Sequence, residues 1–188
     1  TGSVFTKSNE IYGSASMGRQ DYLLYGYDHN VYDYKKSDVK QQLQDITIRA
    51  GIRNTNVTDY RISYNPSVEF NVFTNIGKLN ETTFIIDAPV EKKIGESFSI
   101  KLAARADLTN YTVVQVSPAI VYNSGLVKIH AGITPTWSNS KFEFLPNVYA
   151  EVQLKEKIFM IQAGWIGKYN KNTYRNLSAI NPYLATLI

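Results

Sequence analysis

Residues 60–73, YRISYNPSVEFNVF, alternate apolar and polar positions without a slip. Tyr60, Ile62, Tyr64, Pro66, Val68, Phe70 and Val72 fall on one side of an extended chain, and Arg61, Ser63, Asn65, Ser67, Glu69 and Asn71 on the other. A period of two predicts a strand with one dry and one wet face. The pattern recurs along the chain. DITIRAGIR sets Ile46, Ile48, Ala50 and Ile52 against Asp45, Thr47, Arg49 and Arg53. FSIKLAARADL sets Ile100 and Leu102 against Lys101, Arg105 and Asp107. LVKIHAGITPTW sets Ile129 and Ile133 against Lys128 and His130, and FEFLPNVYAEVQL sets Val148 and Val152 against Glu143 and Glu151.

Less regular strands are expected at 9–18, 20–34, 80–91, 111–123 and 157–168, about ten in all. Short connections at 54–56, 92–97, 123–125, 138–140 and 155–157 predict antiparallel hairpins rather than crossover helices. Residues 35–43 and the stretch after 171 are expected to hold a short helix or loop. Pro66, Pro118, Pro135 and Pro146 lie on the apolar side of these runs, where they are expected to mark bulges or strand ends.

Length raises the question of what the dry face meets. Strands in soluble domains usually run five or six residues, whereas 60–72 is about twice that. Such a strand, tilted near 45°, rises roughly 30 Å, the thickness of a bilayer core. The pattern therefore predicts an all-β, antiparallel transmembrane β-barrel, or a segment of a larger one, filling 1–188 as a single domain. Arg49, Arg53, Arg61, Glu69, Lys101, Arg105, Asp107, Lys128, His130, Glu143 and Glu151 are the candidate lumen-facing residues. Ile62, Tyr64, Val68, Phe70, Ile100, Leu102, Ile129, Ile133, Val148 and Val152 are the candidate lipid-facing ones. Tyr60, Phe98, Trp137, Phe142 and Phe144, near strand ends, suit an interfacial girdle. A soluble antiparallel barrel or sandwich is the competing reading.

Composition leans the same way. Of 188 residues, 44% are hydrophobic, with no apolar run long enough for a spanning helix. Charged residues are 19%, below the roughly 25% of soluble domains, and 14 are Tyr. A net charge of +4 without a basic cluster gives no reason to expect nucleic acid. The absence of Cys weakens a small disulfide-stapled secreted class. The sequons at Asn56, Asn80, Asn110 and Asn176 read more simply as turn residues. Lacking an initiator Met and a leader, the sequence is expected to be a piece of a longer chain.

Catalytic chemistry is not signalled. A Cys nucleophile, a GxSxG elbow and a Gly-rich phosphate loop are all missing, so the chain is expected not to be an enzyme and to need no cofactor. Asp28, His29 and Asp33 invite a metal reading, but alternation sets Asp28 opposite the other two, and an aromatic strand end or loop accounts for them. His130 sits on the polar side beside Lys128 as a wall residue, not a general base. The tyrosines of YLLYGYDHNVYDY, 22–34, suit an interfacial belt better than a sugar-stacking surface.

Two segments within 142–186, the LPN of Leu145-Pro146-Asn147 and NTYRNLSAINPYL from Asn172 to Leu184, resemble the barrel of TonB-dependent-receptor-like outer-membrane proteins of Bacteroidota. The resemblance implies an outer-membrane location in a Gram-negative cell. It also implies a role in transport or in a surface complex, with the lipid bilayer and other outer-membrane or surface proteins as partners. No plug domain or TonB-contacting box is visible in these residues, so TonB-driven transport does not carry over. A non-transporting scaffold of a biogenesis or secretion complex and a soluble ligand-carrying barrel remain the alternatives.

Overall fold

Alternation becomes strand nearly everywhere it occurs. The computed structural model describes residues 1–23, 30–31, 33–76, 79–139, 141–154 and 159–182. Eleven strands form within them: β1 (Gly2–Phe5), β2 (Asn9–Leu23), β3 (Lys40–Asn54), β4 (Ile62–Tyr64), β5 (Ser67–Asn75), β6 (Asn80–Ile94), β7 (Phe98–Leu108), β8 (Thr112–Asn123), β9 (Val127–Ser138), β10 (Lys141–Leu154) and β11 (Phe159–Ile166). One helix, α1 (Tyr174–Ile180), follows. No helix among the described residues is long and apolar enough to cross a membrane.

All the strands join one antiparallel sheet in the order β1-β2-β3-β5-β6-β7-β8-β9-β10-β11, with β4 on β6. β4 pairs Ile62 with Lys92 and β5 pairs Ser67 with Asp87, which is a single register carried across Asn65–Pro66. The two are one strand interrupted where proline cannot donate to the ladder. Counted so, the sheet has ten strands. It does not close: β1 and β11 are its edges.

Several expectations need correction. Residues 9–23 make one strand where the alternation predicts a break before 20; residues 33–39 are not strand, and 24–29 and 32 lie outside the described residues. β3 begins at Lys40, inside the stretch expected as helix or loop. Tyr60 and Arg61 belong to the turn before β4, and Arg61 takes φ 58°, so this candidate lumen residue is a turn residue. Asn176 lies in α1, not in a turn, and Asn80 opens β6. None of the four prolines makes a bulge. Pro118 and Pro135 instead open a gap in the β8–β9 ladder between Gln115↔Thr136 and Ala119↔Gly132 without shifting its register. A contact of 3.0 Å between the Ser117 and Thr134 hydroxyls bridges that gap.

Two rims follow from the topology. The far rim carries the turns at 6–8, 95–97 and 124–126, and the near rim the end of β5 at Asn75, the start of β6 at Asn80 and the turn at 109–111. The chain of paired residues Ser3, Tyr12, Gly51, Ser67, Asp87, Arg105, Gln115, Thr136 and Glu143 crosses the sheet from β1 to β10. It starts close to the far rim and ends close to the near one, climbing about one residue per strand. One residue of rise, ~3.3 Å, against an interstrand spacing of ~4.8 Å is a tilt of roughly 35–40°, the range of barrel walls.

Burial is inverted relative to a soluble sheet. Side chains of the polar face are the buried ones: Asn71 is 1% exposed, Glu81 2% and Thr136 1%. Apolar side chains of the other face are open, with Ile48 52%, Leu102 49% and Ile120 57% exposed. The five buried hydrophobic residues among those described, Leu43, Phe73, Val113, Ala119 and Val121, all sit on the polar side by register. Among the described residues no conventional hydrophobic core forms.

Candidate functional site

The polar face is where chemistry gathers, because the unbroken register aligns it. Arg49, Arg53, Glu69, Lys101, Arg105, Asp107, Lys128, His130, Glu143 and Glu151 all share it, while Ile62, Tyr64, Val68, Phe70, Ile100, Leu102, Ile129, Ile133, Val148 and Val152 share the opposite one. Opposite charges meet across neighbouring strands. Arg53 Nε lies 2.7 Å from Glu10, and its guanidinium stands 5.7 Å from the Tyr12 ring centre. Lys101 reaches Glu91 at 3.3 Å, and the Ser99 hydroxyl donates to the same carboxylate at 2.6 Å. Arg105 is 4.0 Å from Asp87 and Arg49 donates to Ser67 at 3.2 Å. Register also sets Arg49 opposite Glu69, and Lys128 opposite Glu151. This face is thus polar yet close to self-neutralised.

Close approach to glycine backbone occurs on this face. A Cβ on Gly51 would come within 2.4 Å of the Tyr12 ring, and one on Gly164 within 2.9 Å of the Tyr149 Cβ. His130 stacks on Tyr149 with centroids 4.7 Å apart and planes 8° apart. Both its ring nitrogens are buried without a hydrogen-bond partner, so stacking is what holds it. Of the Asp28–His29–Asp33 group only Asp33 is described, and the belt of 22–34 likewise lies mostly outside the described residues. Among the described residues no cluster of His, Cys, Asp or Glu has metal-site geometry.

The feature that sequence reasoning missed lies at the near rim. At Gly167 the chain leaves β11 and turns over the polar face; a Cβ there would meet the Pro146 ring at 2.9 Å and Leu145 at 3.0 Å. Residues 167–182 then form a strap across the strand ends. The Tyr169 hydroxyl donates to Ser138 at 2.7 Å. The Lys171 ammonium, whose side chain is 8% exposed, donates to the Asp107 carboxylate at 2.7 Å, to Thr109 at 2.9 Å and to the Tyr111 carbonyl at 2.6 Å. It also stands 4.6 Å from the Tyr111 ring centre. Burial, with Tyr169 beside it, raises the Tyr111 phenol above its ordinary value, so the ring facing the ammonium stays neutral.

Glu81 closes the account. Its carboxylate accepts the backbone N–H groups of Tyr174 at 2.7 Å and Arg175 at 3.2 Å, two of the orphan donors of α1. Thr173 caps the same end by accepting from the Asn176 N–H at 3.2 Å. Arg175 pairs with Asp45 of β3, and the Tyr174 hydroxyl takes a hydrogen bond from Asn75 at 2.8 Å. Three carboxylates on three strands therefore hold one strap. The available signal was the i, i+4 spacing of Lys171 and Arg175, together with three acidic residues that the register brings to one rim.

Comparison of the chain with protein-family models, with curated proteins and with solved structures gives no match.

Proposed function

We propose that this chain is the wall of an outer-membrane β-barrel, with its apolar face in lipid and its polar face lining a lumen. The observation that carries this reading is the apolar belt. On the outward face the charged strand residues are Arg19, Asp21, Lys40 and Lys92, all near strand ends. Between them runs an uninterrupted apolar surface. From Phe98 to Leu108 the belt of β7 covers ten residue steps, about 33 Å along the strand and roughly 25 Å in height at the tilt derived above, matching the lipid band of outer-membrane barrels. Aromatic side chains gather at its edges: Phe98 against Tyr122 at 4.9 Å, and Trp137 against Phe142 at 5.0 Å.

Magnitude argues against water on this face. The outward side chains are each about half exposed, so together they present on the order of 2,000 Å² of apolar surface, several times the largest patch of an ordinary soluble monomer. At about 25 cal/mol per Å² that is on the order of 50 kcal/mol of unrealised transfer, against the 5–15 kcal/mol by which domains are stable. A soluble carrier barrel needs its apolar side chains inside and buried, whereas here the apolar face is exposed and the polar face holds the buried side chains. The resemblance of 142–186 to TonB-dependent-receptor-like barrels supports the same location and a part in transport, or in a membrane-embedded surface complex. A scaffold role is the second reading, favoured by the strap that crosses the near end of the polar face.

The test is fractionation. After cell breakage and a sodium carbonate wash, the protein is expected in the outer-membrane pellet, released only by detergent; recovery in the wash would end the reading. Replacing an outward residue gives an energetic check. Val68→Arg is expected to cost about 2–4 kcal/mol of folding stability in lipid, and Glu69→Ala on the opposite face far less. Equal unfolding midpoints for the two variants would mean the faces are wrongly assigned.

A further inference from the structure

We infer that the strap, residues 167–182, is an electrostatically latched gate across the near mouth of the lumen. This rests on the reading of the polar face as a lumen and adds how that lumen is closed. The strap binds the wall through polar groups: Lys171 on Asp107, Arg175 on Asp45, and the first turn of α1 on Glu81. Beside these stands one ring contact, Tyr174 against Phe73 with centroids 5.9 Å apart. The single well-buried residue within α1 is Ser178, whose hydroxyl is buried with no hydrogen-bond partner, a penalty on the closed position.

A seven-residue helix has too few turns to persist by itself, so wall contacts decide whether it forms. An element held mainly by polar anchors, its helix residues half-buried or exposed apart from Ser178, belongs to the low-stability end of a fold, where moving parts are found. The strap also stands between two cavities. One, about 420 Å³, is lined by Gly18, Leu43, Phe73 and Ala179. The other, about 440 Å³, is lined by Arg105, Gln115, Tyr169 and Ile180. Lifting α1 joins them into one passage along the wall, with the three carboxylates exposed at its mouth.

The experiment is ion conductance of the protein reconstituted in lipid vesicles and planar bilayers. Wild type is expected to conduct rarely, and Arg175→Glu to raise the open fraction about tenfold, the effect of weakening the latch by ~1.4 kcal/mol. Asp45→Arg together with Arg175→Glu restores the pair with reversed sign and is expected to return the open fraction towards wild type. A second construction covers the case in which Arg175→Glu does not fold. The chain has no cysteine, so Asp45→Cys with Arg175→Cys can be bridged by a short bismaleimide, expected to close a channel that is open before bridging. Protein that inserts into vesicles but conducts equally with and without the bridge would overturn the gate and leave the barrel standing. Protein that fails to insert at all would remove both.

Discussion

A methyl group at Gly132 has nowhere to go. Its Cβ would lie 2.7 Å from the Ala119 side chain and 2.8 Å from the Pro118 carbonyl oxygen, and backbone cannot swing aside as the end of a long side chain can. Gly132→Ala is expected to lower stability by roughly 1–3 kcal/mol through overpacking. Gly18→Ala, whose Cβ would meet nothing nearer than 4.0 Å, is expected to be neutral or slightly stabilising. Thermal unfolding in detergent micelles distinguishes them; equal shifts would mean the β8–β9 contact is looser than described. Lys171 supplies the electrostatic counterpart. Its ammonium is buried with the Asp107 carboxylate as its one anionic partner among the described residues, so Asp107→Ala leaves a charge with neutral acceptors only. A cost on the order of 3 kcal/mol is expected, the lower end for breaking a buried pair. Proteolysis between 167 and 182 is the readout, and unchanged resistance would contradict this.

Among elements, α1 depends most on its caps. Thr173→Ala removes one accepted N–H and is expected to cost about 1 kcal/mol, while Glu81→Ala removes two. Amide exchange at Tyr174 and Arg175 should therefore quicken more in Glu81→Ala than in Thr173→Ala; the opposite order would make Thr173 the principal cap. The strands were legible to different degrees for physical reasons. Where one face is strictly apolar, as in β7, the alternation gives the element from Phe98 to Leu108 directly. Where outward positions become polar, as at Arg19, Asp21, Lys40 and Gln42 near the near rim, hydropathy no longer follows the strand. Its course is carried instead by ladder bonds and by side-chain pairs such as Arg19 to Gln42 at 3.1 Å. That is why β2 runs through 19 without the expected break and β3 starts earlier than the pattern suggests. Proline misled in the other direction: Pro66 interrupts a strand yet leaves its register intact, which no periodicity can reveal.

At the scale of the whole molecule, the polar wall was legible because a period of two sorts side chains before any partner is known. The strap was not. Its anchors Asp45, Glu81 and Asp107 are spread over 62 residues of sequence, from 45 to 107, and only the pairing of β3, β5, β6 and β7 brings them to one rim. The outward belt makes an optical prediction. Both tryptophans of the chain, Trp137 and Trp165, lie on the apolar face, 45% and 74% exposed. In vesicles, brominated acyl chains should quench most of the emission and aqueous iodide little of it, whereas strong iodide quenching would set the belt in water. The unbroken register also bears on how such a chain can change over evolutionary time. Removing one residue inside β6 or β9 would turn every later side chain of that strand around, putting charge on the apolar face and Ile on the polar one. Viable insertions and deletions within strands must therefore come in even numbers, and odd ones are confined to the turns.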